Sequence, residues 1–241
     1  MALPKKRFKI YHSGLHLAIT LVFVVFPFIF FLLFSEIAHL TTSQLFSDIW
    51  ISLFRIFVAY LFAVILGWVF AASFFRGKRA IIALPVFDVL QSFPTFAALP
   101  LATYFLGVSE ITVLIFLVVT IIWPIFFSII SSLRLIRHDW EDVVEISRIS
   151  RWDYITRFLW PASIPGVITG SIIGLGEGWE ALVATEIIIG IKPGLGSFFD
   201  SYSKDASITT FGILGLLFLI FSINKLIWLP LLDMSHKMME E

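Results

Sequence analysis

Charged side chains stand inside otherwise apolar stretches, among them Arg55, Glu177, Glu180, Glu186 and Lys225. A charge at the centre of a bilayer costs about 2.5 to 3.5 kcal/mol on insertion scales. Three glutamates so close together are therefore expected to be paired, protonated or wetted rather than turned to lipid. Arg55 and Lys225 are the basic residues at the same depth and the natural counter-charges. Two chemistries stay open for them, a structural ion pair or direct contact with a permeating solute, and Arg55 suits an anion better than any glutamate does. Gly166, Gly170, Gly174 and Gly178 recur at intervals of four, which lays a smooth stripe for close helix approach. At about 100° per residue, Glu177 and Glu180 lie near that stripe, while Trp179 and Glu186 share the roughly opposite face. One face is expected to pack and the other to see solute.

Other chemistries find no support in the residues. The chain has no cysteine, which excludes disulfides, thiolate metal sites and a cysteine nucleophile. His12, His16, His39, His138 and His236 are scattered without a metal-binding spacing, so no metal is expected. Gly77-Lys78 is followed by Arg79 and lacks the upstream glycine of a phosphate-binding loop. No cofactor is expected in this chain, and no nucleophile and base are suggested by spacing, so it does not read as an enzyme. A net charge of zero gives no basic field for nucleic acid.

The elements that must position these charges are membrane helices. Of the 241 residues, 59% are hydrophobic and 14% charged, against about 25% charged in a soluble domain. A helix needs roughly 20 apolar residues to cross the hydrocarbon core, and six segments qualify: about 14–34, 50–74, 80–106, 111–133, 164–190 and 208–231. The expected fold is all-α and polytopic, a single membrane domain over 1–241. The first run follows Lys5, Lys6, Arg7 and Lys9, but it is too long for a signal-peptide core and is read as a mature helix. Six crossings put both termini on one side, and the excess of Lys and Arg marks the cytoplasmic loops. Thirteen of the seventeen basic residues then fall on the side of the termini, and only Lys192 and Lys204 on the other. Residues 1–13, 134–163 and 232–241 are thus expected in the cytoplasm.

Two segments stand out. The third candidate span is interrupted by Pro85, Asp88, Gln91, Pro94 and Pro100, and irregular backbone at membrane depth is tolerated only where protein or a water-filled cavity surrounds it. A kinked packing helix and the wall of a pathway both satisfy that condition. The loop 134–163 reads as two short helices joined by a break. Asp139 caps the first, and Ser150 with Asp153 forms a capping box for the second. On the first, Trp140, Val143, Val144 and Ser147 make a narrow apolar face. Periodicity alone fits either docking onto a soluble partner or lying on lipid headgroups with Trp140 and Trp152 as anchors.

That loop resembles the signature loop of binding-protein-dependent ABC importer permeases. The resemblance rests on Asp142-Val143-Val144-Glu145-Ile146-Ser147-Arg148, Ser150-Arg151-Trp152, and the closing Phe158-Leu159-Trp160-Pro161. Asp142 stands where the family has Glu, and Arg148 stands where it has Gly, a change that alters the backbone freedom of the break. Leu90 to Leu101 with Phe105-Leu106-Gly107, Ser52-Leu53-Phe54-Arg55 with Gly67, and Gly174, Trp179, Leu182 to Ala184, Glu186 and Gly194-Leu195-Gly196 are similar to the nitrate, sulfonate and taurine branch. Asn224 to Trp228 looks more like anion permeases of the duplicated type.

The resemblance implies a type I importer permease that moves a small solute, an anion such as nitrate, a sulfonate, taurine or bicarbonate. It implies coupling to ATPase subunits through Trp140, Asp142, Val143, Val144, Glu145, Arg148 and Pro161. It implies a translocation path near Arg55, Gln91, Pro94, Trp179, Glu180 and Glu186. The implied partners are ATP-binding ABC subunits carrying the ATP and Mg, a second permease subunit, an extracytoplasmic solute-binding protein and membrane lipid. The competing expectation is a proton-coupled secondary transporter that relays protons through Glu177, Glu180 and Glu186.

Overall fold

The computed structural model describes residues 14–135 and 150–240, and these are all helix and connecting turn. The helices are α1, Gly14–Ile37; α2, Thr42–Phe74; α3, Gly77–Gln91; α4, Thr95–Leu106; and α5, Glu110–Arg134. The second half holds α6, Trp160–Ile189; α7, Leu195–Ser201; α8, Ala206–Ile223; and α9, Leu229–Glu240, which follows α8 through the π-helical turn Asn224–Trp228. Among the described residues, four helices are long and apolar enough to cross a membrane, and the bent pair α3 and α4 makes a fifth if it is one span. The apolar stretch Leu21–Ile37 of α1 is shorter.

The core is the antiparallel pair α5 and α6 with α2 laid against both. The glycine stripe lies directly on α5. A β-carbon at Gly170 would come within 2.5 Å of Ile125 Cα and 2.9 Å of Pro124 O, and one at Gly166 within 2.6 Å of Ile129 Cα. The neighbouring atoms are backbone, which cannot swing aside, so the absence of a side chain is what sets the helix separation. Ile121, Ile125, Ile129 and Leu133 of α5 are fully buried along this seam. Hydrogen bonds between side chains then fix α2 on α6: Trp68 Nε1 donates to Ser163 Oγ at 2.8 Å, and Tyr60 and Ser171 hydroxyls meet at 2.9 Å. Across the α5–α6 pair, Ser132 Oγ donates to Ala162 O at 3.0 Å.

The peripheral helices α1 and α8 pack through aromatic edges, Phe23 on Phe221 at 5.3 Å and Phe26 on Phe218 at 4.9 Å. Their outer faces, with Val22, Leu33 and Leu217, remain exposed, as side chains turned to hydrocarbon should.

Three differences from the sequence reading have physical causes. α2 begins at Thr42 rather than near 50, because hydropathy marks the part of a helix in lipid and not the end of the helix. Its extra turns bury Leu45, Asp48 and Ile49 against protein. The third span, expected as one interrupted segment over 80–106, is two helices bent by 84° at Ser92 to Pro94. Proline disfavours helical angles in the residue before it, so α3 stops short of Pro94, which stands at the N-cap of α4. Finally, the second short helix expected in the loop does not end before the membrane. Ser150 Oγ accepts from Asp153 N at 3.1 Å, and the chain runs helically from Arg151 to Ile189. The π-helical turn Tyr154–Leu159 lies just before Pro161, where a proline ring crowds the carbonyl four residues back.

Gly170→Ala should lower stability by about 1 to 3 kcal/mol through overpacking. Gly176→Ala, on the same helix with nothing within 4 Å of the added carbon, should be neutral or gain up to about 1 kcal/mol. Thermal unfolding in detergent, followed by loss of the monodisperse peak, distinguishes the two.

Candidate functional site

The spacing Asp48, Ser52, Arg55 places three polar side chains on one face of α2, and all three are buried. They meet Glu186 near the C-terminal end of α6, where Gly190 adopts the left-handed conformation (φ 72°) that ends the helix. The chain then doubles back, so that the turn before α7 lies over Glu186. Arg55 grips two carboxylates. Its Nε and Nη2 donate to the two oxygens of Glu110 at 2.7 and 2.6 Å, a bidentate pair. Its Nη1 donates to Glu186 Oε1 at 2.6 Å and to Pro193 O at 2.8 Å.

Glu186 is fully buried and fully occupied. It accepts from Ser52 Oγ, from Arg55, and from Gly196 N at 2.7 Å. The two preceding amides of the turn are taken as well: Gly194 N donates to Asp48 Oδ1 at 2.9 Å and Leu195 N to Ser52 Oγ at 2.8 Å. This close approach explains the glycines of Gly194-Leu195-Gly196. A β-carbon on Gly194 would lie 2.6 Å from Arg55 Nη1, and one on Gly196 would run into Glu186 Cβ. The cluster ties α2, α5, α6 and the α7 turn at one point.

Arg55 and Glu186, two of the expected path residues, are therefore brought together and closed off in this conformation, and Trp179 is buried with them on that side of α6. The face opposite the glycine stripe does not stand open, because α2 and the α7 turn cover it. Exposed positions of α6 lie between the two packed faces, at Ile173, Gly176, Glu177 and Glu180. Lys225, expected as a counter-charge, is exposed and makes no ion pair among the described residues.

A second place of interest is an open groove of about 530 Å³ between the broken third span and the α5–α6 pair. Gln91, Ser92, Thr95, Thr120, Trp123 and Glu177 are among its walls. Pro94 is exposed at the break beside it, and Glu180 faces outward on α6. Pro161 is exposed in the first turn of α6. Trp140, Asp142, Val143, Val144, Glu145 and Arg148 lie outside the described residues. Among the described residues no group of three His, Asp or Glu side chains is placed to hold a metal.

Sequence reasoning passed over Asp48 and Glu110, and it gave Ser52 no role. The 4-and-3 spacing of Asp48, Ser52 and Arg55 on a helix was the available signal for the first and last. Glu110 sits in the first turn of α5, where an acidic residue also reads as a partner for the helix dipole, and nothing local aims it at Arg55.

An all-α chain with several bilayer-length helices and a further helix pair broken beside a polar groove has the architecture of a polytopic membrane protein. The chain belongs to the binding-protein-dependent transport system inner membrane component family, whose model matches residues 59–229. It is 33% identical over 187 residues to the nitrate import permease NrtB of Leptolyngbya laminosa, covering 73% of this chain and 66% of that protein. It is 28% identical over 122 residues to the bicarbonate transport permease CmpB of Synechococcus elongatus, covering 50% of this chain and 44% of that one. It is 28% identical over 117 residues to the taurine transport permease TauC of Escherichia coli K12, covering 48% and 42%. The matched stretch thus spans no more than about two thirds of these relatives' own length.

Removing one partner of a buried pair leaves the other uncompensated, at about 3 to 5 kcal/mol. Arg55→Met should therefore cost about that much. Glu110→Gln should cost less, because Glu110 is 57% exposed and Arg55 keeps Glu186. Arg55→Met combined with Glu186→Leu should recover part of the loss. Unfolding midpoints of the four proteins in one detergent measure the order.

Proposed function

We propose that this chain is the membrane-spanning permease subunit of an ATP-driven importer for a small anion, in the range nitrate, bicarbonate and sulfonates such as taurine. The observation that carries the reading is the family match over 59–229, which takes in the broken span, the α5–α6 pair and the connection between them. The relatives named for nitrate, bicarbonate and taurine support the solute class. In this reading the chain is not itself an enzyme. It works as half of a transmembrane pair, ATP-binding subunits that hold ATP and Mg sit below, and an extracytoplasmic solute-binding protein sits above. It crosses the inner membrane six times with both termini in the cytoplasm, an orientation supported by the asymmetry of Lys and Arg.

The coupling contact would be made by the segment around Asp142 and Glu145, with Trp140, Val143 and Val144 in the cleft of an ATPase, Arg148 at the break and Pro161 closing the loop. What lies downstream supports a mechanical route. From Arg151 to Ile189 the backbone is one helix of 39 residues, roughly 58 Å at 1.5 Å per residue. Displacement at the Ser150 end would reach Glu186 without a joint in between except the π-helical turn. There it would bear on the Arg55 cluster, so that α2, α5 and the α7 turn move with α6. Arg55, Trp179 and Glu186 would then line the path only when that cluster opens, whereas Gln91, Pro94 and Glu180 are exposed already. The proton-relay alternative loses a member, because Glu186 is held by Arg55, Ser52 and Gly196.

Pulling the wild-type chain from detergent extracts should bring an ATPase subunit with it. Asp142→Lys combined with Val144→Glu should lose that subunit while the permease stays folded. Undiminished co-purification and transport by the double variant would overturn the coupling role.

A further inference from the structure

The groove beside the broken third span has a polarity that the permease reading alone does not anticipate. Glu177 lines it, is exposed, and makes no hydrogen bond or ion pair among the described residues. No basic residue among the described residues lines it, and the arginine at depth, Arg55, is spent on Glu110 and Glu186. Three of the four hydroxyls in its wall spend their protons on backbone carbonyls. Ser92 Oγ donates to Asp88 O at 3.1 Å, Thr95 Oγ1 to Phe93 O at 3.2 Å, and Thr120 Oγ1 to Phe116 O at 3.0 Å. What these side chains have left for the groove is lone pairs. Gln91 spends one N–H on Asp88 Oδ1 at 2.7 Å, which sets a second carboxylate close behind the wall.

Trp123 adds an aromatic surface, held by an edge contact with Phe126 at 6.4 Å and a tilted contact with Phe87 at 6.2 Å. An unpaired carboxylate, a row of acceptor oxygens and an indole ring form a surface that repels a bare oxyanion and attracts a cation or a strong N–H donor. Trp123 Nε1 and Ser128 Oγ make no hydrogen bond among the described residues and remain as neutral donors for an anionic end.

We propose that this groove receives the amine of a small zwitterionic solute, with Glu177 as its counter-ion and Trp123 as the surface over which the ammonium passes. The inference rests on the permease reading and narrows its small anion to one that also carries an ammonium group. Glu177 is then the specificity-determining residue of the path, because it rejects an anion that lacks the amine.

The test uses the full chain in lipid nanodiscs and saturation-transfer NMR with two probes that differ by the amine alone, 2-aminoethanesulfonate and ethanesulfonate. The amine-bearing probe is expected to bind about tenfold more tightly, the scale of one hydrogen bond to a charged group. Glu177→Gln should erase the preference, Glu177→Asp should keep part of it, and Asp200→Asn, exposed and outside the groove lining, should leave it unchanged. Equal or tighter binding of ethanesulfonate, no binding of either probe, or an intact preference in Glu177→Gln overturns the assignment. ATPase association is read on the same samples. If it persists while the preference is absent, the solute class is wrong and the permease reading stands; if it is lost from wild type, the permease reading itself has failed.

Discussion

The Arg55 guanidinium is the point on which this architecture turns. A cation 3% exposed within an apolar bundle has to be neutralised where it stands, and each group that neutralises it comes from a different element. Glu110 opens α5, Glu186 lies near the end of α6, and the Pro193 carbonyl belongs to the turn that leads into α7. The demand propagates outward: once Glu186 is drawn in, its remaining lone pairs need donors, which come from Ser52 and the Gly196 amide. The position of the α7 turn follows from electrostatics rather than from any apolar surface of its own. A buried network of this kind is weak evidence for stability compared with an apolar core. It does define one arrangement of four elements, and that arrangement is lost all at once if its centre is opened.

The seam between α5 and α6 answers a different requirement. Within lipid there is little hydrophobic reward for bringing two apolar helices together, so van der Waals fit decides. Gly166, Gly170 and Gly174 let α6 approach until its backbone meets that of α5, and the two helices become a rigid pair. Against that pair the broken third span has freedom to be irregular, since Gln91, Ser92 and Thr95 on either side of the Pro94 break line a polar groove. Leu99, fully buried, anchors α4 while the bend itself stays open.

Much of this was legible in the residues. Apolar run lengths gave the helical class and the approximate places of the long apolar helices, because the bilayer imposes a length on any helix that spans it. The four-residue glycine interval marked the packing face, and the prolines between 85 and 100 marked the broken segment. Ser150 and Asp153 marked a helix start that the structure places there. In each case the information is periodic or local, and a helix expresses it directly.

Pairing between distant elements was not legible. Arg55 and Glu186 are 131 residues apart and Arg55 and Glu110 are 55 apart, and several carboxylates had equal claim on one guanidinium until the chain doubled back after Gly190. For the same reason the Trp179 and Glu186 face read as open when it is covered, since a helix wheel gives the direction of a side chain but not what stands opposite. Nor did sequence tell Glu177, left unpartnered in a groove, from Glu186, sealed in the core nine positions later on the same helix. The sequence by itself determined which segments are helices, which faces are smooth and which charges must be accounted for. Only the tertiary structure decided which charge answers which, because Coulombic pairing depends on separation in space, and folding sets that separation between residues far apart along the chain.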